Sequence, residues 1–310
     1  MNKTPQPAAA VELTAVIVAA TADEARVLTI RDGAALPSGP LESGHRTLQT
    51  GLRSWVERQT HHPLGYIEQL YTFADRDRAQ GAAGAGRVIS ISYLGLTREA
   101  PAVTPDSRWR SWYRYFPWED RRAGTPALLA REIAPRLHAW ARAGADEATR
   151  RERRRRVAVA FGLSGHRWSD ELVLQRYELL YEACLVPEAG RRAPVSHALP
   201  GEAMAHDHRR ILATGIARLR AKIRYRPVFF ELMPERFTLL QLQRTVEALA
   251  GQRLHKQNFR RLIAQQGLVE DTGELATGTG GRPARLMRFR GEVVLERAVA
   301  GTKLPLERPA

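Results

Sequence analysis

Basic and amide side chains recur at helical spacing near the C-terminal end of the chain, and such groups can bind nucleic acid. At about 100° per residue, one side of a helix carries four of them: Lys256, Gln257, Arg260 and Arg261. The opposite side carries apolar residues that can pack: Phe259, Leu262 and Ile263. On DNA, arginine binds guanine, glutamine or asparagine binds adenine, and lysine binds phosphate. The pattern predicts a helix from about His255 to Gly267 that packs by one face and presents the other to a duplex.

Another helix is predicted just before the basic one. Its apolar residues are spaced three, four and three positions apart, as in an amphipathic helix: Leu239, Leu242, Val246 and Leu249. Thr238 is a suitable N-cap, because its hydroxyl can accept a hydrogen bond from a free backbone N–H of the first turn. Gly251 can end the helix, because glycine adopts positive φ without strain.

A β-hairpin with a glycine-rich tip is predicted after the basic helix. Its strands are residues 268–269 and 285–289, and its tip is residues 278–283. Glycine lets the backbone approach a phosphate closely, and Arg282 and Arg285 can neutralise phosphates or enter the minor groove. The order of capped helix, basic helix and arginine-containing hairpin indicates a winged helix-turn-helix. It favours DNA binding over an ordinary solvated helix and hairpin.

Four short motifs in this part of the chain are typical of one family. They are RPVFFELMP at 226–234, FTL at 237–239, NFRR at 258–261 and GRPA at 281–284. They resemble the C-terminal half of the Nudix-related transcription regulators of NAD metabolism, over residues 218–290. The longer chain, with its central aromatic block, looks most like the NadQ-type NAD-biosynthesis regulators. His255 departs from the family, which often has an aspartate cap at this position.

The resemblance implies a repressor of NAD biosynthesis genes whose N-terminal Nudix-like domain senses an adenine nucleotide. Such repressors are expected to be homodimers on a palindromic operator, with one winged domain on each half-site. We predict the residues that contact operator DNA: Thr238, Lys256, Gln257, Asn258, Arg260, Arg261, Arg282 and Arg285.

Length and charge are consistent with this prediction. A chain of 310 residues predicts two domains, and a net charge of +15 favours a polyanionic partner, nucleic acid before an anionic membrane surface. No apolar run of about 18 residues occurs, so we expect no membrane span. The single cysteine, Cys184, excludes an internal disulfide framework, and the cytoplasm is the predicted compartment.

The N-terminal half predicts a Nudix-like domain. Strands are predicted at 11–19 and 25–31, a helix at 46–60, and two further strands at 66–73 and 87–96. We therefore expect an α+β protein: an N-terminal Nudix-like mixed sheet flanked by helices, and a C-terminal winged helix-turn-helix domain.

The domain boundaries follow from composition. Residues 187–201 are rich in proline, glycine and alanine, which is typical of a linker. The prediction is a nucleotide-sensing domain at 1–186, a linker at 187–204 and a DNA-binding domain at 205–310.

The helix of a Nudix hydrolase carries the pattern Arg-Glu-x-x-Glu-Glu, whose carboxylates hold a divalent metal ion. Here the corresponding residues are Arg53, Ser54, Glu57 and Arg58, so one carboxylate of three remains. An arginine at such a position repels a cation. We predict no catalytic residues and no metal site, and a domain that binds a nucleotide without hydrolysing it. The alternatives are a Nudix-type pyrophosphatase with a nucleic-acid-binding tail, and an RNA-binding module.

An aromatic block at 109–118 interleaves six aromatic residues with arginine. Aromatic faces stack on purines and arginines bind phosphates bidentately, which suits NAD, ATP or ADP-ribose as an effector, with no cofactor required. The candidate effector-binding residues are Trp109, Arg110, Tyr113, Arg114, Tyr115 and Trp118. The alternative is that the block packs the core beside the sheet, and both roles can hold at once.

The middle of the chain predicts further elements. Helices are expected at 126–143 and 172–185, and a short strand at 157–161. The basic run at 150–156 favours a solvated linker or helix face over a contact with DNA phosphates. The helix at 208–223 is either the connector between the domains or the first helix of the winged domain.

Overall fold

The computed structural model describes most of the chain, and all structural statements below refer to these residues. They are residues 10–65, 67–75, 88–99, 104–191, 194–195, 197–225, 228–276 and 283–291.

A mixed sheet forms the centre of the N-terminal half. Its strands are β1 (Ala10–Ala20), β2 (Ala25–Thr29), β3 (Ser38–Pro40), β4 (Ile67–Phe73), β5 (Val88–Leu96) and β6 (Arg108–Ser111). The strand order is β4-β5-β1-β2-β6, with β3 paired to β1. Strands β1 and β5 are parallel and the other pairs are antiparallel. The four strands predicted from the sequence are confirmed.

Strands β3 and β6 were not predicted. β3 lies in a segment of prolines and glycine, a composition typical of loops, and it is a strand because it pairs with β1 over three residues. Gly39 in this strand lies against the ring of Trp55, where a Cβ would come within 2.2 Å of the ring. β6 is the start of the aromatic block, and it pairs with β2. Both strands depend on partners distant in sequence, and neither has its own alternating pattern.

Helices cover both faces of the sheet. Helix α1 (Leu48–Thr60) begins at a capping box formed by Thr47 and Thr50. It packs on one face through apolar residues of both elements: Leu13, Ala15, Ile17, Leu52 and Val56. A second, longer helix, His208–Tyr225, covers the other face. Gly215 lets this helix approach β1, because a Cβ there would lie 2.8 Å from a methyl group of Val16.

Three helices lie between the sheet and that longer helix in sequence. They are α2 (Ala134–Arg142), α3 (Glu147–Phe161) and α4 (Val173–Glu182), and the longer helix is therefore α5. A π-helical turn, Leu129–Ile133, precedes α2. The basic run at 150–156 lies on α3, as the prediction of a helix face allows.

The strand predicted at 157–161 is wrong, because these residues continue α3 to its end at Phe161. The β-branched Val157 and Val159 suggested a strand. The helix nevertheless persists from the Asp146 N-cap, whose side chain accepts from the Thr149 N–H, to Gly162 in the left-handed conformation. Capping at both ends therefore outweighs the local strand preference of two valines.

Helix α5 packs against α4, β1, β4 and β5. His208 is the first residue of α5, and its Nδ1 accepts a hydrogen bond from the Leu36 N–H at 2.9 Å. The sequence assigned α5 to a C-terminal domain that begins at 205. Helix α5 also contacts α6 (Leu239–Ala250), so it packs against both halves of the protein, and the domain boundaries at 186 and 205 stay predictions.

The C-terminal domain has the predicted order of two helices and a hairpin. It comprises α6 (Leu239–Ala250), α7 (Lys256–Gln265), β7 (Val269–Ala276) and β8 (Ala284–Phe289). Strand β7 is longer than the predicted pair of residues and contains an irregularity between Asp271 and Leu275. Phe237 and Met287 exchange two backbone hydrogen bonds, so the hairpin is attached to the segment before α6.

Candidate nucleic-acid interface

Helix α7 has two chemically distinct faces, as its spacing predicted. Phe259 and Ile263 are buried, with 7% and 4% of their surface exposed. The polar residues are all exposed: Lys256, Gln257, Asn258, Arg260 and Arg261. None of these five side chains has a hydrogen bond or ion pair to another residue that the structure describes. The helix therefore presents three cations and two amides to solvent with their donors available to a ligand.

Leu262 was expected to pack with Phe259 and Ile263, but it is 50% exposed. It lies at the margin of the buried face, one residue before Ile263 and three after Phe259. The packed face of α7 is therefore narrower than the pattern indicated, and an apolar side chain stands beside the basic residues.

The first turn of α6 is held by its cap. The Thr238 hydroxyl accepts from the Gln241 N–H at 3.2 Å, and the Gln241 side chain accepts from the Thr238 N–H at 2.7 Å. Thr238 is 7% exposed. Its side chain therefore orients the helix start, and any contact with a phosphate would come from the backbone at this positive helix end.

The turn between α6 and α7 is fixed by one carboxylate. Glu247 accepts hydrogen bonds from Gln243 at 2.9 Å, from the Leu254 N–H at 3.0 Å and from Arg253 at 2.7 Å. Burial alone would raise the pKa of Glu247, but the hydrogen bonds from Arg253, Leu254 and Gln243 lower it. A buried, ionised carboxylate thus sets the angle at which α7 leaves α6.

The hairpin places Arg285 at its surface, 77% exposed and paired with Asp271. The hydrogen bond from Arg285 lowers the pKa of Asp271. Arg285 is thus partly neutralised, unlike the arginines of α7. The other predicted residue of the hairpin, Arg282, and residues 277–281 of the tip lie outside the described residues.

The aromatic block is mainly core. Tyr113, Tyr115 and Trp118 are 8%, 0% and 1% exposed, which is the packing alternative. The Tyr115 hydroxyl donates to the Gly33 carbonyl at 2.7 Å, and burial, followed by the nearby Glu202 carboxylate, raises the pKa of Tyr115 to about 12. Trp109 is partly buried on the α1 face of the sheet, edge-on to His62. In this conformation the three buried rings offer no free face to a purine.

The arginines of the block reach the surface instead. The Arg110 side chain is 17% exposed and donates to the carboxylate of Asp32 at 2.6 Å. The Arg114 side chain is 54% exposed and donates to Glu202 at 2.7 Å. Arg108, the first residue of β6, lies 3.3 Å from Asp32. Of the candidate effector-binding residues, Tyr113, Tyr115 and Trp118 are thus buried, Trp109 and Arg110 are partly buried, and Arg114 is exposed.

Helix α1 is the helix that would hold the metal ion in a Nudix hydrolase. Two of its arginines, Arg53 and Arg58, are bound to other groups of the protein. Arg53 donates to the carbonyls of Leu64 and Gly65. Arg58 donates to the Ser54 hydroxyl at 2.9 Å, and its guanidinium lies 4.4 Å from the centre of the Trp55 ring. Among the described residues, no group of three His, Cys, Asp or Glu side chains could hold a metal ion. No helix in this described part of the chain is long and apolar enough to cross a membrane.

A buried group of charges joins the sheet region to the winged helix. Glu119 accepts from Arg176 at 2.5 and 2.8 Å and from Arg220 at 2.6 Å, and all three side chains are at most 1% exposed. Burial alone would raise the pKa of Glu119, but Arg176 and Arg220 lower it. Arg220 also donates to the Leu249 carbonyl at the end of α6, at 3.0 Å. No sequence pattern marks this group, because Arg176 and Arg220 lie 57 and 101 residues from Glu119 and no periodicity connects them.

The aromatic block contacts the same helix end. The Tyr113 hydroxyl donates to the Ala248 carbonyl at 2.6 Å, and the Arg121 N–H donates to the Gly251 carbonyl at 2.7 Å. The carbonyls at the C-terminal end of α6 are therefore held by residues of the N-terminal half.

Comparisons with known proteins identify the C-terminal domain. Residues 229–289 match the model of the NrtR DNA-binding winged helix domain. The ADPR responsive transcriptional repressor NtrR of Acinetobacter baylyi is 42% identical over 86 residues, which cover 28% of this chain. The match spans about a third of that relative's length, 34%. The resemblance to Nudix-related regulators predicted from the motifs is confirmed.

Solved structures with the same fold cover nearly the whole chain. NrtR of Shewanella oneidensis, crystallised with a 27mer DNA, aligns with a TM-score of 0.53 at 20% identity, covering 92% of this chain and 95% of that chain. A MutT/nudix family protein from Enterococcus faecalis aligns with a TM-score of 0.54 at 16% identity, covering 94% of this chain and 90% of that chain. These likenesses confirm the fold: a Nudix-like mixed sheet flanked by helices, followed by a winged helix.

Proposed function

We propose that this protein is a transcriptional repressor that binds operator DNA and senses an adenine nucleotide. Its chain carries a winged helix that matches the NrtR DNA-binding domain, on a Nudix-like fold. The observation that carries the proposal is the exposed face of α7, where three cations and two amides have no partner among the described residues. Unpaired donors at the surface are suited to base edges and phosphates, which supply acceptors.

The DNA-binding residues that we propose are those of the predicted set. Arg260 and Arg261 lie one turn along the helix from Lys256 and Gln257, and together with Asn258 they form one exposed surface. Thr238 would act through the capped start of α6, and Arg282 and Arg285 through the hairpin. A homodimer would place two such surfaces on a palindromic operator.

The proposed effector is an adenine nucleotide with a diphosphate, with ADP-ribose tested before NAD and ATP. The relative from Acinetobacter baylyi is described as ADPR responsive, which supports this order. The partly buried Arg110 and the exposed Arg114 supply charge suited to phosphates. The aromatic candidates Trp109, Tyr113, Tyr115 and Trp118 lie in the two cores beside them. NAD biosynthesis genes are the proposed targets, as the family resemblance implies.

We also propose that the Nudix-like domain does not hydrolyse its ligand. Ser54 and Arg58 stand where carboxylates would hold a metal ion, and Arg58 is paired with Ser54 and lies over Trp55. One carboxylate, Glu57, cannot replace a set of oxygen ligands. Incubation with ADP-ribose, NAD or ATP and Mg²⁺ should yield no product, and turnover that Glu57→Gln abolishes would instead establish a pyrophosphatase with a DNA-binding tail.

The proposal is tested by titrating the purified protein onto duplex DNA from the promoter next to its own gene. Specific binding is expected, and ADP-ribose should change the affinity. An RNA of the same sequence is the competitor, and equal affinity for RNA and DNA would contradict operator recognition. Light scattering of the complex should give two protein chains per operator.

A further inference from the structure

Three arginines and two carboxylates alternate in one row on the N-terminal half. Arg108 Nε lies 3.3 Å from Asp32 Oδ1, and Arg110 Nη2 lies 2.6 Å from the same oxygen. Arg110 Nη1 lies 3.6 Å from Glu202 Oε2, and Arg114 Nε lies 2.7 Å from Glu202 Oε1. Each carboxylate therefore sits between two guanidinium groups, with Arg110 shared by both.

We propose that this row binds the diphosphate of the effector, with each phosphate taking the place of one carboxylate. A diphosphate has two anionic groups joined by one oxygen, so three guanidiniums around two carboxylates match its charge pattern. Arginine binds a phosphate bidentately and more strongly than it binds a neutral acceptor. This inference rests on the proposed function, because it names the part of the sensor that holds the nucleotide.

Exposure makes the exchange feasible. The side chains of Asp32, Arg108 and Arg114 are 80%, 58% and 54% exposed, and ion pairs at the surface contribute little to stability. Glu202 and the shared Arg110 are 35% and 17% exposed. The Arg110 Nε is buried and has no acceptor among the described residues. The pairs thus hold the arginines in position while remaining weak enough for a ligand with more oxygens and more charge to displace the carboxylates.

The turn that carries Asp32 is held in an unusual conformation. Arg31 and Asp32 have positive φ of 53° and 51°, and Gly33 follows at 92°. Glycine is favoured at position 33, because other residues are strained at this φ and a Cβ would lie 2.4 Å from Arg110 Nε. The Tyr115 hydroxyl donates to the Gly33 carbonyl at 2.7 Å. The turn at residues 31–33 and the arginine row are therefore in direct contact.

The same short segment reaches the winged helix. Arg110 and Arg114 flank Tyr113, whose hydroxyl donates to the Ala248 carbonyl at the end of α6. Glu202 is also tied to the segment, because its N–H donates to the Arg114 carbonyl at 2.8 Å. Displacing Glu202 would thus act on the residues that contact α6, which links ligand binding to the position of the DNA-binding helices.

The test measures ADP-ribose affinity of the full chain by calorimetry. Arg110→Gln and Arg114→Gln should each weaken binding by about tenfold or more, and inorganic pyrophosphate should compete with ADP-ribose for the wild type. The matched control is Arg136→Gln, which removes another partly exposed arginine paired with one carboxylate, Glu132, and should leave the affinity unchanged. Unchanged melting temperatures and circular dichroism spectra show that the variants are folded.

A second variant gives a change of the opposite sign. Glu202→Gln removes a competing charge, so it should tighten ADP-ribose binding by a few-fold, whereas a purely structural ion pair predicts no gain. If Arg110→Gln and Arg114→Gln bind ADP-ribose as the wild type does, the row is not the diphosphate site, although the sensor proposal stands. If the wild type binds DNA but no adenine nucleotide, the sensor proposal fails as well.

Discussion

The two arginine-rich surfaces of this protein differ in how their charges are compensated. On α7, Arg260 and Arg261 have no partner among the described residues, whereas Arg110 and Arg114 are each paired with a carboxylate. An unpaired cationic face attracts a polyanion at long range, and no ion pair has to break when the polyanion binds. A paired row instead holds its side chains in a defined geometry, and a ligand must displace the carboxylates. The unpaired face is therefore suited to a polyanion, and the paired row is suited to a small anion.

A third group of arginines lies between these surfaces and is fully buried. Arg220 is paired with Glu119 and donates to the Leu249 carbonyl of α6. Arg220→Met should cost roughly 3–5 kcal/mol of unfolding free energy, because it leaves a buried carboxylate with one partner instead of two. Urea unfolding measures this loss. The control is Arg154→Met, which removes one partner of an exposed ion pair on α3. If Arg220→Met lowers the free energy of unfolding no more than the control does, the buried junction does not join the two regions.

The unpaired surface should show the next largest effect. Arg260→Ala or Arg261→Ala should weaken operator binding by roughly 1–3 kcal/mol, the range of a specific base contact. Arg285→Ala should cost less, because Arg285 already has Asp271 as a partner. Fluorescence anisotropy on operator and random duplexes measures both. An equal loss on the two duplexes would assign a phosphate role to the α7 arginine.

The capped start of α6 should have a smaller effect. Thr238→Ala removes the hydroxyl that accepts from the Gln241 N–H and should cost about 1 kcal/mol of stability. Thr238→Ser keeps the hydroxyl and is the control. Thermal unfolding distinguishes them, and an alanine variant as stable as the serine variant would show that the cap contributes nothing.

A dependence on pH is expected from Glu247. Its folded-state pKa is lowered below the ordinary value of 4.5, so its contribution to stability is present above that value and is lost as the pH falls through the folded-state pKa. Glu247→Gln should therefore lose less stability than the wild type between neutral and acidic pH. Parallel acid-unfolding curves for the two proteins would contradict this linkage.

Several features of the site were predictable because they depend on neighbours within one or two turns. The two faces of α7, the Thr238 cap and the Gly251 end of α6 follow from side-chain period and capping chemistry. The presence of Ser54 and Arg58 beside Glu57 on α1 is likewise visible in the residue types alone.

Other features required partners distant in the chain. The sequence offered the aromatic block as a nucleotide surface or as core, and only packing against the sheet, α4 and α5 buried Tyr115 and Trp118. Residues Val157–Phe161 likewise continue helix α3, although their two valines locally prefer a strand.

Local period, capping and residue type are enough to define the two faces of α7, the Thr238 cap of α6 and the arginine-rich composition of α1. Only the folded chain shows that α5 packs against both the sheet and α6, that Glu119 pairs with Arg176 and Arg220, and that Asp32 and Glu202 lie among three arginines. Charges that are far apart in sequence pair only because the helices and strands that carry them pack together. The periodicity within one segment does not indicate such a pair.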